Sequence, residues 1–106
     1  MSEANVSAPL DGLETLLQAP ARLQTMAVLS NAQDVEFARL REITTCSDSV
    51  LSKHLSALAE AGMLTLRKAS VDGRQRTWAR ITGDGRRRFE AHVRALKAIL
   101  EGVPGG

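Results

Sequence analysis

The fold is decided by residues 47–64, which read SDSVLSKHLSALAEAGML. Apolar side chains recur at helical spacing along one side of this stretch, at Leu51, Leu55 and Leu58. Ser47 is a favourable N-cap, and Asp48 stands beside the positive end of the helix that follows. Gly62 supplies the left-handed residue that commonly ends a helix. The stretch therefore predicts one amphipathic helix whose apolar side lies in the core of a domain.

A shorter helix is predicted just before this one. Its apolar side chains are Val35, Phe37, Leu40 and Ile43. Asp34 is placed to cap its N-terminus, and the run of Thr, Thr and Cys at residues 44–46 interrupts the helical pattern. Two helices joined by a turn of about four residues form a helix-turn-helix candidate.

Beyond Gly62 the apolar period changes from helical to alternating. Residues 63–68 and 76–81 flank the turn-rich run 70–73, which predicts a β-hairpin with a basic tip. Thr82 can cap a last helix. The apolar stripe of that helix, spaced like a heptad, is Phe89, Val93, Leu96, Leu100 and Val103.

Two more helices are predicted upstream of the helix-turn-helix. Leucines at helical spacing indicate a short first helix, at Leu10, Leu13, Leu16 and Leu17. Pro20 suits the start of a second helix, which ends near residues 30–31. We expect residues 1–9 to be a flexible N-terminus, 10–101 the folded domain with its flanking helices, and 102–106 a flexible C-terminus.

Composition excludes several classes of protein. The 106 residues, 43% hydrophobic and 25% charged, fit one globular domain. Aromatic residues make up only 3%, so the stacking platforms of single-strand nucleic-acid binders are missing. With Cys46 as the one cysteine, neither an intramolecular disulfide nor a paired-cysteine zinc site can form. No phosphate-binding loop or catalytic motif is recognisable, so we predict no enzyme activity, no cofactor and no metal site.

The charge is distributed unevenly along the chain. Residues 1–48 hold 3 basic and 7 acidic side chains, whereas residues 49–106 hold 11 and 5. This asymmetry suggests that the second half meets a polyanion, with a solvated basic face as the alternative. An acid at position 3 and the lack of an apolar run of about 18 residues argue against export and membrane insertion. We therefore expect a cytoplasmic protein.

Two segments carry a resemblance to a known family. Residues 47–64 resemble the recognition-helix signature of small bacterial MarR-like and ArsR-like repressors, most specifically in the pieces SKHL and EAGML. Residues 76–86 resemble the second wing strand and the helix start that follows it. The resemblance implies a mainly α fold with a small β-hairpin: a winged helix-turn-helix with N- and C-terminal dimerisation helices. It also implies a dimeric, cytoplasmic transcription factor, usually a repressor.

The sequence departs from the family pattern at two positions. Thr45 stands where the family usually has Gly, and because a β-branched residue is strained at positive φ, we expect a wider turn. Val50 occupies a position that a polar base-reading residue often holds, which reduces the expected hydrogen bonding to bases.

The predicted function is sequence-specific binding of double-stranded DNA at a palindromic operator by a homodimer. The recognition helix and wing supply the candidate DNA contacts: Ser47, Asp48, Ser49, Val50, Ser52, Lys53, Ser56, Arg67, Lys68, Arg74 and Arg76. The candidate dimer contacts are apolar: Leu13, Leu17, Phe89, Val93, Leu96 and Leu100. The alternative is a winged helix that serves as a protein-interaction module without specific DNA binding.

Other residues are assigned structural roles first. We expect Cys46 to be a small core residue, with a redox switch as the alternative, and His54 to pack at the edge of the apolar side. Trp78 can be exposed, stack on Arg76 or Arg80, or enter a dimer contact. A small-molecule effector is possible, and we expect room for one only at a dimer-interface cleft.

Overall fold

The computed structural model describes residues 12–102, which form a short 3-10 helix, four α-helices and three strands. The elements follow in the order 3-10 helix Thr15–Gln18, α1 Pro20–Ser30, β1 Val35–Glu36, α2 Phe37–Thr44, α3 Asp48–Glu60, β2 Leu64–Val71, β3 Arg74–Ile81 and α4 Gly83–Leu100. The predicted winged helix-turn-helix layout is confirmed: α2 and α3 are the helix pair, and β2 and β3 are the wing.

The predicted first α-helix is wrong in the part that the structure describes. Leu16 and Leu17 lie in a single 3-10 turn, Leu13 precedes that turn, and Leu10 falls outside the described residues, as does Val103. Leu17 is 1% exposed and belongs to the core of the single chain, so its assignment to a dimer interface is also wrong.

Residues 35–36, which were predicted to begin α2, form a third strand instead. Val35 and Glu36 pair antiparallel with β3, opposite Ala79 and Trp78, and give the sheet order β1-β3-β2. Helix α2 therefore begins at Phe37, and Asp34 does not cap it. Instead the Asp34 carboxylate forms an ion pair with Arg80 across the sheet, with 2.8 Å between Oδ2 and Nη2.

The turn between α2 and α3 is tight although Thr45 occupies the expected glycine position. Thr45 takes the left-handed conformation, with φ 57° and ψ 23°, and its backbone N–H donates to the carbonyl of Arg41 at 2.8 Å. The wider turn predicted from Thr45 is therefore wrong. The chain accepts the steric cost of a β-branched residue at positive φ because this bond closes α2 in the way that a left-handed cap does.

Helix α3 begins and ends as its sequence predicts. The Ser47 side chain accepts a hydrogen bond from the backbone N–H of Val50 at 3.3 Å, and Gly62 has φ 79°. The apolar side of α3 is buried in a core to which the 3-10 helix, α1, α2 and all three strands also contribute. This core consists of Leu17, Met26, Leu29, Val35, Leu40, Leu51, Leu55, Leu58, Met63, Leu64 and Ala79. One side of α3 is thus fixed, and the opposite side faces outward.

Helix α4 is anchored at both its first turn and its middle. The Thr82 hydroxyl accepts from the backbone N–H of Gly85 at 2.8 Å, which confirms the predicted cap. Farther along, the buried imidazole of His92 accepts a hydrogen bond at Nδ1 from the backbone N–H of Glu14, at 2.9 Å. Arg88 forms an ion pair with the Glu14 carboxylate, also at 2.9 Å. These bonds hold the segment before α1 against α4.

The buried imidazole of His92 gives a pH prediction. Burial lowers the pKa of His92, against a smaller opposing effect of the Glu14 carboxylate, so the folded protein keeps His92 neutral where the unfolded chain would protonate it. Below a pH of about 6.5 the unfolded state binds the extra proton, and the stability contributed by neutral His92 is lost as pH falls. When urea titrations are repeated between about pH 7.5 and 5, the free energy of unfolding should fall less in His92→Gln than in the wild type. An equal loss in both proteins would contradict this role.

Candidate nucleic-acid interface

The outward side of α3 is a polar surface free for contact with another molecule. Five of the predicted DNA contacts are exposed there: Ser49, Val50, Ser52, Lys53 and Ser56. Val50, at 44% exposure, is the apolar member of this surface and has the chemistry to contact a thymine methyl group. The short hydroxyl side chains allow close approach to base edges or phosphates, and Lys53 supplies a positive charge.

Two of the predicted DNA contacts have structural partners at the start of α3. Ser47 caps the helix, and Asp48 forms an ion pair with Arg41, with 2.8 Å between Oδ1 and Nη1. Both groups of this pair are exposed, so solvent screens the attraction between them and the pair contributes little to stability. The sequence does not predict this link, because it depends on how the left-handed turn at Thr45 brings α2 beside α3.

The wing is a two-stranded hairpin whose tip carries positive charge. Asp72 and Gly73, with φ 53° and 77°, form its two-residue turn, which suits the right-handed twist of the strands. Arg74 follows directly after this turn, and Arg67, Lys68 and Arg74 are all exposed. A narrow hairpin with exposed cations can enter a DNA groove and contact phosphates.

Arg76 differs from the other basic residues of the wing. Its guanidinium donates to both oxygens of the Glu36 carboxylate, at 3.1 and 2.9 Å, and both side chains are partly buried. This pair fastens the base of the wing to β1, so the charge of Arg76 is largely compensated. Trp78 stacks with Arg67, its cross-strand neighbour, whose guanidinium carbon lies 5.9 Å from the ring centroid. The prediction that Trp78 stacks on Arg76 or Arg80 is wrong, because both of these arginines pair with carboxylates instead.

His54 holds α3 in place from its half-buried position. Its Nδ1 accepts a hydrogen bond from Nε of Arg22, in α1, at 2.9 Å. Burial lowers the pKa of His54, and the nearby charge of Arg22 lowers it further, so the ring is neutral and can accept this bond. The predicted position of His54 at the edge of the apolar side is confirmed by its intermediate burial. The partner Arg22 is distant in sequence, and no local pattern indicates it.

The comparison with protein families decides the identity of this arrangement. The sequence model of the winged helix DNA-binding domain family matches residues 21–100, from the first turn of α1 to the end of α4. The chain belongs to this family. The MarR-like resemblance found in the recognition helix and wing is confirmed at the level of the winged helix fold.

One protein of similar length resembles this chain in sequence, and several solved structures resemble it in fold. An uncharacterised protein of Methanocaldococcus jannaschii is 30% identical over 88 residues, which cover 83% of this chain and 96% of that protein. The transcriptional regulator homologue of Pyrococcus horikoshii OT3 superposes with a TM-score of 0.80 at 23% identity, covering 94% of this chain and 97% of that one. The zinc-responsive MarR family member ZitR of Lactococcus lactis gives 0.62 at 18% identity, covering 84% and 60%.

The arginine run at the start of α4 braces the winged helix domain. Arg86 donates to the carbonyl of Ser30 at 3.0 Å, and Arg88 donates to the carbonyl of Ala61, after α3, at 2.8 Å. Arg87 is 73% exposed and pairs only weakly with Asp84. Of the three arginines, Arg87 is therefore the one that makes no hydrogen bond to another element of the described residues.

Further observations limit the chemistry of the described part of the winged helix domain. Cys46 is half-buried and packs against the core, in accord with a structural role. Residues 12–102 contain no group of three His, Cys, Asp or Glu side chains that could hold a metal ion. Within the same residues, no helix is both long and apolar enough to cross a bilayer.

Proposed function

We propose that this chain is a transcriptional regulator, and specifically a repressor, that binds double-stranded DNA with α3 in the major groove. The observation that carries the proposal is the division of α3 into two sides. Leu51, Leu55 and Leu58 are fixed in the core, whereas the outward side presents Ser49, Ser52, Lys53 and Ser56 to solvent. A rigidly held helix with a polar outer side can place its side chains against base edges.

The wing supplies the second part of the proposed DNA surface. Arg67, Lys68 and Arg74 are exposed, and a basic hairpin of this kind can contact phosphates and the minor groove beside the site of α3. Arg76 acts from behind this surface, because its ion pair with Glu36 holds the wing against β1. We therefore assign phosphate contacts to the three exposed residues and a positioning role to Arg76.

We further propose that the protein binds a two-fold symmetric operator as a homodimer. Helix α4 carries the predicted apolar stripe beyond the core: Val93 and Leu96 are half-buried, and Leu100 is 81% exposed. Phe89, in the same stripe, packs partly against the core of its own chain. A second copy of α4 would cover the exposed part of the stripe and set the distance between the two recognition helices.

The dimer proposal predicts the effect of one exposed substitution. Leu100→Asp should convert the dimer to monomer without unfolding the domain, because Leu100 is 81% exposed in the single chain and an acid would be buried only in the interface. Sedimentation equilibrium at roughly tens of micromolar protein measures this change in oligomeric state. Val71→Asp, the same kind of change on the wing, is the control that should remain dimeric. A monomeric wild type would contradict the proposal.

Selection of bound fragments from random duplex DNA tests the proposed function. We expect enrichment of a palindrome whose half-sites lie about one helical turn apart, or a multiple of it. Bound pools without a shared motif would contradict sequence-specific binding, and would favour the winged helix as a protein-interaction module.

A further inference from the structure

A cleft of about 600 Å³ lies between the end of α1, β1, α2 and the outer side of β3. Its apolar walls are formed by Val28, Ala32, Val35, Ile43 and Trp78. No residue of α4 lines it, so it is separate from the proposed dimer stripe. The sequence predicted room for a small ligand only where two chains meet. The structure instead has a cleft of ligand-binding size within one chain.

The rim of this cleft carries charges of both signs. Asp34 and Glu36 line it together with Arg39. Each carboxylate is held in one orientation by a guanidinium, Asp34 by Arg80 and Glu36 by Arg76. The Asp34 and Glu36 side chains remain 28% and 22% exposed. Since an ionised carboxylate has about four acceptor sites, both can accept a further hydrogen bond from a ligand.

Arg39 supplies the opposite charge at the same rim. Its guanidinium makes one bond to Glu42, at 3.2 Å, and the side chain is 65% exposed. A guanidinium has five N–H donors in a fork that matches a carboxylate, so Arg39 retains donors for a ligand. Asn31 adds an amide to the same lining. The cleft therefore combines an aromatic and aliphatic wall with fixed acceptors and a guanidinium donor.

We propose that this cleft binds a free α-amino acid with a large apolar side chain. The ligand carboxylate pairs with Arg39, its ammonium group donates to Asp34 and Glu36, and its side chain lies against Trp78. A ligand with only a negative charge would face two carboxylates without a donor for them, and an organic cation would leave Arg39 without a partner. A zwitterion on an apolar body satisfies both signs at once.

The cleft is linked indirectly to the proposed DNA surface, because its residue Glu36 pairs with Arg76, which holds the wing from behind that surface. An ammonium group on Glu36 would share the acceptor that holds Arg76. Binding to the cleft nevertheless needs no DNA. It can therefore be tested by itself, and the outcome does not depend on the proposed function.

Trp78 is the single tryptophan of the chain and gives one indole N–H signal in an NMR spectrum, which makes it a direct probe of the cleft. L-phenylalanine should shift this signal saturably, with a Kd of about 1 mM for an open site. Phenethylamine lacks the carboxylate and 3-phenylpropanoate lacks the ammonium group. Each should bind at least about tenfold more weakly than L-phenylalanine.

Variants test the assigned charges. Arg39→Gln should weaken L-phenylalanine about tenfold and leave phenethylamine unchanged, whereas the control Arg87→Gln should alter neither. Absence of a saturable shift with L-phenylalanine would overturn the proposal. Equal binding of phenethylamine would show an organic-cation site, and equal binding of 3-phenylpropanoate an anion site. Either result would also overturn it.

Discussion

Gly85→Ala should strongly destabilise the folded domain. In the first turn of α4, Gly85 lies directly on the backbone of Met63, and a Cβ would overlap the Met63 carbonyl oxygen and come within 2.8 Å of its Cα. Met63 cannot move aside, since its N–H donates to the carbonyl of Leu58 and its carbonyl accepts from Thr82. We expect a loss of about 3 kcal/mol or more, a large part of the roughly 5–15 kcal/mol that stabilises a domain.

Gly83 provides the matched control for this substitution. It lies two residues earlier in the same turn, and a Cβ there would meet only the end of the Arg87 side chain at 3.7 Å, an ordinary contact. Gly83→Ala should therefore be neutral or stabilising by up to about 1 kcal/mol, through helix propensity. Urea denaturation of both variants measures the difference. Equal stability of the two would show that α4 does not pack on Met63 as described.

Lys53→Glu should reduce affinity for the selected operator by about 100-fold or more near 0.15 M salt. Lys53 is exposed on the outward side of α3, so the change removes a positive charge from the proposed groove surface and places a negative charge against phosphate. The fold should be unaffected, because the core residues of α3 lie on its other side. Titration of a labelled operator, with urea denaturation of the same sample, separates binding from stability.

Arg87→Glu is the control with an identical change in net charge. Arg87 is 73% exposed at the start of α4 and lies outside the proposed DNA and dimer surfaces. Because Arg87 is exposed and pairs only weakly with Asp84, the fold is retained. The affinity of Arg87→Glu for the operator should stay within about threefold of wild type. If Lys53→Glu and Arg87→Glu lose affinity equally, DNA binding depends only on the net charge of the protein. Such a result would contradict the placement of α3 at the DNA.

The elements predicted well are those with complete local signals. Helix α3 has an N-cap at Ser47, an apolar stripe and a left-handed stop at Gly62, all within one stretch. The wing combines an alternating pattern with the turn at Asp72 and Gly73. Signals of this kind act between residues a few positions apart, so they can be recognised without knowledge of the rest of the fold.

The features that were missed depend on distant partners. Val35 and Glu36 fit the amphipathic pattern of α2, and only pairing with β3 makes them a strand. The left-handed Thr45 shows the same limit, because closure of α2 by the Arg41 carbonyl outweighs the backbone preference of a β-branched residue. Local pattern alone favoured the wrong outcome at both places.

The exposure of the candidate DNA contacts on α3 could be predicted from the sequence, but the ion pairs around them could not. Exposure of the side chains on α3 follows from helical periodicity alone. The ion pairs that bind Asp48 to Arg41 and Arg76 to Glu36 join residues 7 and 40 positions apart, and composition cannot reveal them. Sequence analysis therefore assigned both Arg74 and Arg76 to DNA contact, whereas in the fold Arg74 is exposed and Arg76 is paired with Glu36.

A salt titration of affinity for the selected operator and for a scrambled duplex tests the central claim most directly. With Arg74→Ala, both duplexes should weaken by similar factors, and the slope of log affinity against log salt should fall by about one unit. With Ser49→Ala, the operator should lose about 1–3 kcal/mol and the scrambled duplex less, which narrows the gap between them. If both variants bind both duplexes as the wild type does, then α3 and the wing are not the DNA-binding surface.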